Sequence, residues 1–96
     1  MIIHGYNGSR EMAEALVKEG LLISFGEAIA GEHSKIIEAL LSVPVEKMFM
    51  ETDEGDLDIR EVYFMAAEAK GITVDQLRIQ VFENAKHYLP RFAELF

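Results

Sequence analysis

The apolar residues of this chain fall into three short continuous runs, separated by longer segments with helical periodicity. The runs are Ile2 to His4, Leu21 to Phe25 and Met48 to Glu51. Each run is apolar along almost its whole length and does not alternate with polar residues, which is typical of a parallel strand covered on both faces. Ser24 is the polar member of the second run, and we expect it to be buried.

Apolar residues recur at helical spacing between these runs. Ser9 is a favoured N-cap residue and Gly20 a favoured stop, which predicts a helix from Ser9 to Glu19. Its inward stripe is predicted to be Met12, Ala15 and Leu16. A second helix is predicted from Ser34 to Leu41, because Val43-Pro44 ends the pattern. No element is assigned to the connection Glu27 to Gly31.

Two further helices follow the third run. Asp58 to Glu61 and Thr73 to Gln76 both have the form of a capping box, in which the N-cap and the third helical residue bond each other's backbone N–H groups. The first helix is predicted to close at Gly71 and the second at Leu89-Pro90. Their predicted inner faces are Val62, Met65, Ala66 and Ala69, then Leu77, Val81, Ala85 and Tyr88.

The resulting βαβαβαα order indicates an α/β fold with a parallel sheet and right-handed crossovers. Helices on one side of such a sheet cannot cover both of its faces. In a (β/α)₈ barrel the second face is the barrel interior, but such barrels need about 250 residues, and this chain has 96. We therefore expect a bare apolar face and unpaired strand edges, which predicts self-association, most simply as a symmetric dimer.

Composition narrows the function classes. The chain carries 17 acidic and 9 basic residues, a net charge of -8, which disfavours unspecific binding to phosphate backbones. It has no cysteine, so any metal site must use Asp, Glu or His. No apolar run approaches the roughly 20 residues of a membrane span. The sequence predicts a cytoplasmic protein with no membrane contact.

The third apolar run ends abruptly in carboxylates, over Lys47 to Asp56. Residues just beyond the carboxyl ends of parallel strands face the ligand crevice, and Glu51 and Asp53 occupy that place. The alternative is that Asp53 to Asp58 form a solvated turn leading into the next helix. Spacing alone does not separate these two interpretations.

Two stretches together resemble the TatD-like metal-dependent hydrolases. His4-Gly5-Tyr6-Asn7-Gly8-Ser9 resembles the family's His-Cys-Phe-Ser-Gly-Ser type of motif, and the stretch from Pro44 to Asp53 resembles its Pro-Leu-Asp-Arg-Leu-Leu-Leu-Glu-Thr-Asp. The segment from Gly71 to Asn84 is similar to the family's closing helix. The resemblance covers residues 1–96 as a single partial-barrel domain that corresponds to the last three βα units of a TIM (β/α)₈ barrel.

The resemblance implies a hydrolase of phosphodiesters, often a deoxyribonuclease, with a divalent metal (Zn, Mn or Mg) at the carboxyl ends of the strands. It implies that His4 and Asp53 are metal ligands and that Asp53 is also catalytic, positioning the attacking water. Glu51 is expected to support the ligands without binding the metal. The family's first-strand His-x-His pair, its mid-barrel Glu and its fifth-strand histidine have no counterparts here, so the site is incomplete in this chain.

Two hypotheses follow. In the first, the chain is the carboxyl-terminal portion of a TatD-like nuclease, a fragment or truncated product that is inactive without an amino-terminal half and meets DNA only in the complete enzyme. In the second, it is a non-enzymatic, oligomerising remnant or interaction module, and the acidic loop is plain solvated surface. A lone histidine at a strand end is more often structural than a metal ligand, which keeps the second hypothesis open.

Overall fold

The computed structural model describes residues 2–30, 34–52 and 58–89. Three strands form the sheet: β1 (Ile2–Ile3), β2 (Leu22–Phe25) and β3 (Met48–Met50). Four helices surround it: α1 (Arg10–Lys18), α2 (Ser34–Ser42), α3 (Ile59–Lys70) and α4 (Val74–Tyr88). Short 3₁₀ helices occupy Glu27–Ala30, in the connection left unassigned above, and Val45–Lys47 before β3. No helix within the described ranges is long and apolar enough to cross a membrane.

The sheet is parallel throughout, in the order β1-β2-β3. Ile3 pairs with Ile23, and Ile23 pairs with Met48, so the strands run in register along their apolar centres. The predicted parallel βαβαβαα unit is confirmed, and its strand order follows the sequence. The carboxyl ends of all three strands consequently meet at one edge of the sheet.

The helix starts follow the side chains that cap them. Ser9 Oγ accepts from the Met12 backbone N–H at 3.2 Å. Thr73 and Gln76 form the predicted reciprocal capping box, with bonds of 3.0 and 2.9 Å. The prediction of a capping box between Asp58 and Glu61 is wrong, because the Asp58 side chain bonds Arg60 instead.

At that position, Asp58 Oδ1 accepts from the backbone N–H of Arg60 at 2.8 Å. The Arg60 guanidinium also donates to Asp58 Oδ2 at 2.9 Å, so the Asp58 carboxylate is directed toward Arg60. These contacts hold the pKa of Asp58 below its usual value, because the charged form accepts from both groups of Arg60. The cap is therefore formed with the second helical residue, and the start of α3 is still secured.

The inward face of α1 differs from the predicted stripe by one position. Ala13 is fully buried, whereas Met12 is 56% exposed. Leu16 and Val17 pack against the core, and Ala15 lies at the surface. The sequence pattern was misleading because methionine is the larger apolar residue, but the close packing of α1 on its neighbours needs the small side chain.

The central strand is buried on both faces. Ile23 and Phe25 point into the helix-covered core and are 0% exposed. Leu22 and Ser24 point the other way and are 3% and 2% exposed, so Ser24 is buried as predicted. The expectation of a fully bare second face is wrong at β2. On that face the partly exposed residues belong to the outer strands, Ile2 in β1 and Phe49 in β3.

A buried amide fixes α4 to the start of β3. Asn84 is 3% exposed, and its Nδ2 donates to the Val45 and Met48 carbonyl oxygens at 2.8 and 2.9 Å. Gln80 Nε2 donates to Asn84 Oδ1 at 2.9 Å, so the amide is bonded at both ends. The sequence pattern did not single out Asn84, although its side chain holds α4 against the start of β3.

Candidate functional site

The carboxyl edge of the sheet brings together two of the predicted site residues. His4 follows β1 and Glu51 follows β3, and His4 Nδ1 lies 3.0 Å from Glu51 Oε1. The His4 side chain is 73% exposed and that of Glu51 22% exposed, so the pair is open to solvent on the histidine side. Residues from the two outer strands thus meet across the end of the central one.

Glycines make that meeting sterically feasible. The Glu51 backbone N–H donates to the Phe25 carbonyl at 2.9 Å, which keeps Glu51 beside Gly26 at the end of β2. A Cβ on Gly26 would lie 3.0 Å from the Glu51 carbonyl oxygen and 3.2 Å from its Cγ. Gly5 has a φ of 58°, a left-handed conformation that suits glycine, and a Cβ there would lie 3.7 Å from Glu51 Oε2. Gly26 therefore leaves the space through which the carboxylate reaches His4, whereas Gly5 is needed for the left-handed turn after His4.

Tyr6 anchors the loop that carries His4. Its backbone N–H donates to the Ser24 carbonyl at 3.1 Å, and its ring packs edge-on against Phe25 with centroids 5.8 Å apart. The phenol donates to the Ser9 carbonyl at 2.5 Å. Burial raises the pKa of Tyr6, so the phenol is neutral and acts as a donor. His4 therefore projects from a fixed turn.

The described residues supply only part of a metal site. His4 with its carboxylate partner has the arrangement common to metal-binding histidines, in which one ring nitrogen bonds a carboxylate and the other faces the ion. No group of three or more His, Asp or Glu side chains within the described ranges is close enough to hold an ion. Glu27 Oε1, just beyond Gly26, is buried without a hydrogen-bond partner in that part of the chain. Asp53, the predicted ligand and catalytic residue, lies outside the described residues.

Comparison with known proteins decides the family. Residues 1–90 match the sequence model of the TatD related DNases. The chain belongs to this family. The hydrolase resemblance read from His4 to Ser9 and from Pro44 to Asp53 is confirmed.

The fold agrees with that membership. The structure matches the crystal structure of a TatD family hydrolase from Entamoeba histolytica with a TM-score of 0.75 at 14% sequence identity. The match covers 88% of this chain and 40% of that protein. The three strands and their helices are therefore similar to part of a TIM barrel of the TatD type, and the chain spans less than half the length of the matched hydrolase.

The structure brings together His4 and Glu51, the residue expected only to support the ligands. Sequence reasoning missed the glycine that permits their contact. Gly26 stands directly after the second apolar run, and a glycine at a strand end often marks close approach of another backbone or ligand. Gly26 was visible in the sequence, but Glu51, the residue it contacts, lies far away along the chain.

Proposed function

We propose that this chain is the carboxyl-terminal portion of a TatD-like metal-dependent hydrolase that acts on phosphodiesters, with DNA as the expected substrate. The observation that supports this most directly is the contact between His4 and Glu51 at the carboxyl edge of the sheet. Active sites of barrel enzymes lie at this edge, built from the residues that follow the strands. The family match supports a hydrolytic role for the pair over a purely structural one.

In this proposal His4 and Asp53 hold a divalent cation, zinc, manganese or magnesium. A bound cation of this kind polarises a phosphoryl oxygen and lowers the pKa of a coordinated water. Catalytic zinc sites use about three protein ligands and keep a position open for water. The two candidate ligands of this chain are too few, so the remaining ligands must come from an amino-terminal half of the barrel.

The role of Glu51 is to hold the His4 ring in place. Because an ionised carboxylate only accepts hydrogen bonds, the Nδ1 atom of His4 must carry the proton that joins them. The Nε2 atom is then directed away from Glu51. With a net charge of -8, the chain has no general attraction for DNA, so we expect substrate binding to depend on the amino-terminal half.

Metal titration and nuclease assays test this proposal. We expect calorimetry to show micromolar or weaker binding of zinc or manganese to the chain alone, lost in His4→Ala and in Asp53→Asn. We expect no DNA cleavage by the chain alone, and cleavage when an amino-terminal half supplies the remaining ligands. Submicromolar zinc affinity abolished by His4→Ala would contradict an incomplete site. Robust cleavage by the purified chain would contradict the need for a second half.

A non-enzymatic role in self-association remains the second candidate. Exposed apolar side chains on α3 and α4 favour it, among them Phe64 at 58% and Ile79 at 60% exposed. These residues lie on helices α3 and α4, whereas His4 and Glu51 follow strands β1 and β3. The two candidates therefore depend on different surfaces and are separable by mutation.

A further inference from the structure

We propose that Gly26 and Glu51 act together as positioning residues that select which ring nitrogen of His4 faces the reaction site. The ligand expected at that nitrogen is a divalent cation, and this part of the inference rests on the proposed function above. The choice of nitrogen is independent of the proposed function, because it follows from contacts within the chain.

The selection begins with the chemistry of the pair. A neutral imidazole has one N–H and one unprotonated nitrogen, and either nitrogen can carry the proton. Glu51 Oε1 lies 3.0 Å from His4 Nδ1, and a carboxylate cannot donate to it. The proton is therefore held on Nδ1, and Nε2 keeps its lone pair. An unrestrained imidazole in water favours the opposite arrangement, so the contact changes the outcome.

The exposure of the two side chains indicates which of them faces solvent. The His4 side chain is 73% exposed, whereas the Glu51 side chain is 22% exposed. The half-buried carboxylate is the fixed partner, and the histidine ring turns its other side to solvent. A lone pair presented in this way suits a metal ion, and carboxylate partners of metal-binding histidines have this orienting effect.

Gly26 is what allows the carboxylate to be fixed there. Glu51 follows β3, on one side of β2, and His4 follows β1, on the other. The Glu51 side chain must therefore pass over the end of β2, where a Cβ at position 26 would lie 3.2 Å from Glu51 Cγ and 3.0 Å from the Glu51 carbonyl oxygen. Contacts this short require Glu51 to give way by a few tenths of an ångström. We expect a side chain at position 26 to lengthen the contact between the carboxylate and His4 by a similar amount.

The experiment is nitrogen NMR of the histidine ring in the full chain at about pH 8.5, above the ordinary titration range of imidazole. We expect the wild-type His4 ring to be protonated mainly on Nδ1. Glu51→Gln should shift the ring toward Nε2 protonation, because the amide can donate to Nδ1 as well as accept from it. Gly26→Ala should produce a smaller shift in the same direction, because it lengthens the contact while retaining Glu51.

Glu14→Gln is the matched control, because Glu14 is an exposed glutamate that pairs with Arg10 and not with a histidine. It makes the same chemical change away from His4, and we expect the His4 ring to stay protonated on Nδ1. If Gly26→Ala prevents folding, Glu51→Gln still decides the matter. A wild-type ring protonated on Nε2, or a ring unaffected by Glu51→Gln, would overturn the inference.

Zinc titration of the same samples separates this inference from the proposed function. We expect zinc to shift the His4 ring signals, and Glu51→Gln to weaken zinc binding roughly 10-fold, the lower end of the effect of losing such a partner. A ring that follows the predicted protonation pattern but ignores zinc would confirm the positioning role. That same result would count against His4 as a metal ligand.

Discussion

Two side-chain contacts position the ends of β3, and burial decides what each contributes to the folded state. The His4–Glu51 pair at the carboxyl end is largely exposed on the histidine side, so solvent screens it and its effect on stability is small. Asn84, which bonds the start of the strand, is only 3% exposed, so its hydrogen bonds are shielded from solvent. The first contact is therefore expected to matter for chemistry and the second for folding.

Removing the Asn84 amide should destabilise the protein strongly. Asn84→Ala would leave the Val45 and Met48 carbonyls and the Gln80 amide without their partner. Each unsatisfied buried polar group costs about 1–3 kcal/mol, so we expect a loss of at least about 2 kcal/mol in the free energy of unfolding. Chemical denaturation followed by circular dichroism measures it.

The control is Asn7→Ala, at an exposed asparagine, which should change the stability by less than about 0.5 kcal/mol. Equal effects of the two substitutions would show that the bonds of Asn84 contribute no more than a surface asparagine does.

The helices are specified mainly by local signals at their ends. Ser9, Asp58 and Thr73 each accept a backbone hydrogen bond at the start of a helix, and Gly71, with φ of 71°, ends α3 in the left-handed conformation. The inner faces depend instead on what lies opposite. Val62, Ala66 and Ala67 of α3 are buried. At the end of the same helix, Lys70 Nζ donates to the carbonyl of Val43, the residue that follows α2.

The capping box of α4 should be cooperative. Thr73→Ala removes the acceptor for the Gln76 backbone N–H, and we expect a loss of about 1 kcal/mol in stability. Gln76→Ala removes the reciprocal bond to the Thr73 backbone N–H and should cost less. Because each bond fixes the geometry of the other, the double variant should lose less than the sum of the two single losses. Strict additivity in thermal or chemical denaturation would show that the two bonds form independently.

At the scale of the whole molecule, the surfaces left open differ from those expected. The outer edge of β3 is partly closed, because the Met48 carbonyl, directed away from β2, is bonded by Asn84. The exposed large apolar side chains of the described residues lie mostly on or beside α3 and α4: Ile59, Phe64, Val74, Ile79, Phe82 and Leu89. Phe64 also lines a cavity of about 550 Å³ with Asp58, Arg60, Glu61 and Met65. The exposed apolar surface of these helices, more than the second face of the sheet, is therefore available for association.

We predict that the chain self-associates at micromolar concentration. An aromatic side chain buries 150–250 Å² when covered, so Phe64, at 58% exposed, presents roughly 100 Å². A patch of several such residues is smaller than the roughly 800 Å² that each partner buries in a stable interface, so the association should be weak. Sedimentation should show a concentration-dependent mass of at least twice the 10.8 kDa of the chain.

Phe64→Ser should reduce this association, whereas Met12→Ser, at a residue 56% exposed on α1, should leave it unchanged. A concentration-independent monomer would refute the prediction. Association that is lost equally in both variants would place the interface elsewhere.

The sequence by itself determined the order of the elements, the parallel sheet, most helix ends and the family. These features depend on neighbouring residues: continuous apolar runs, capping side chains and glycine stops act over a few positions. The two motifs containing His4 and Glu51 were also recognisable, since each is a contiguous stretch.

The tertiary structure decided what depends on residues distant in the chain. The space between α1 and its neighbours decides that Ala13, and not Met12, faces the core. The packing of the whole folded chain decides that Leu22 is covered. The bonds of Asn84 to β3 and the clearance that Gly26 gives Glu51 join segments brought together only by the sheet order. No local pattern encodes such distances, because packing and clearance are properties of the folded surfaces that meet.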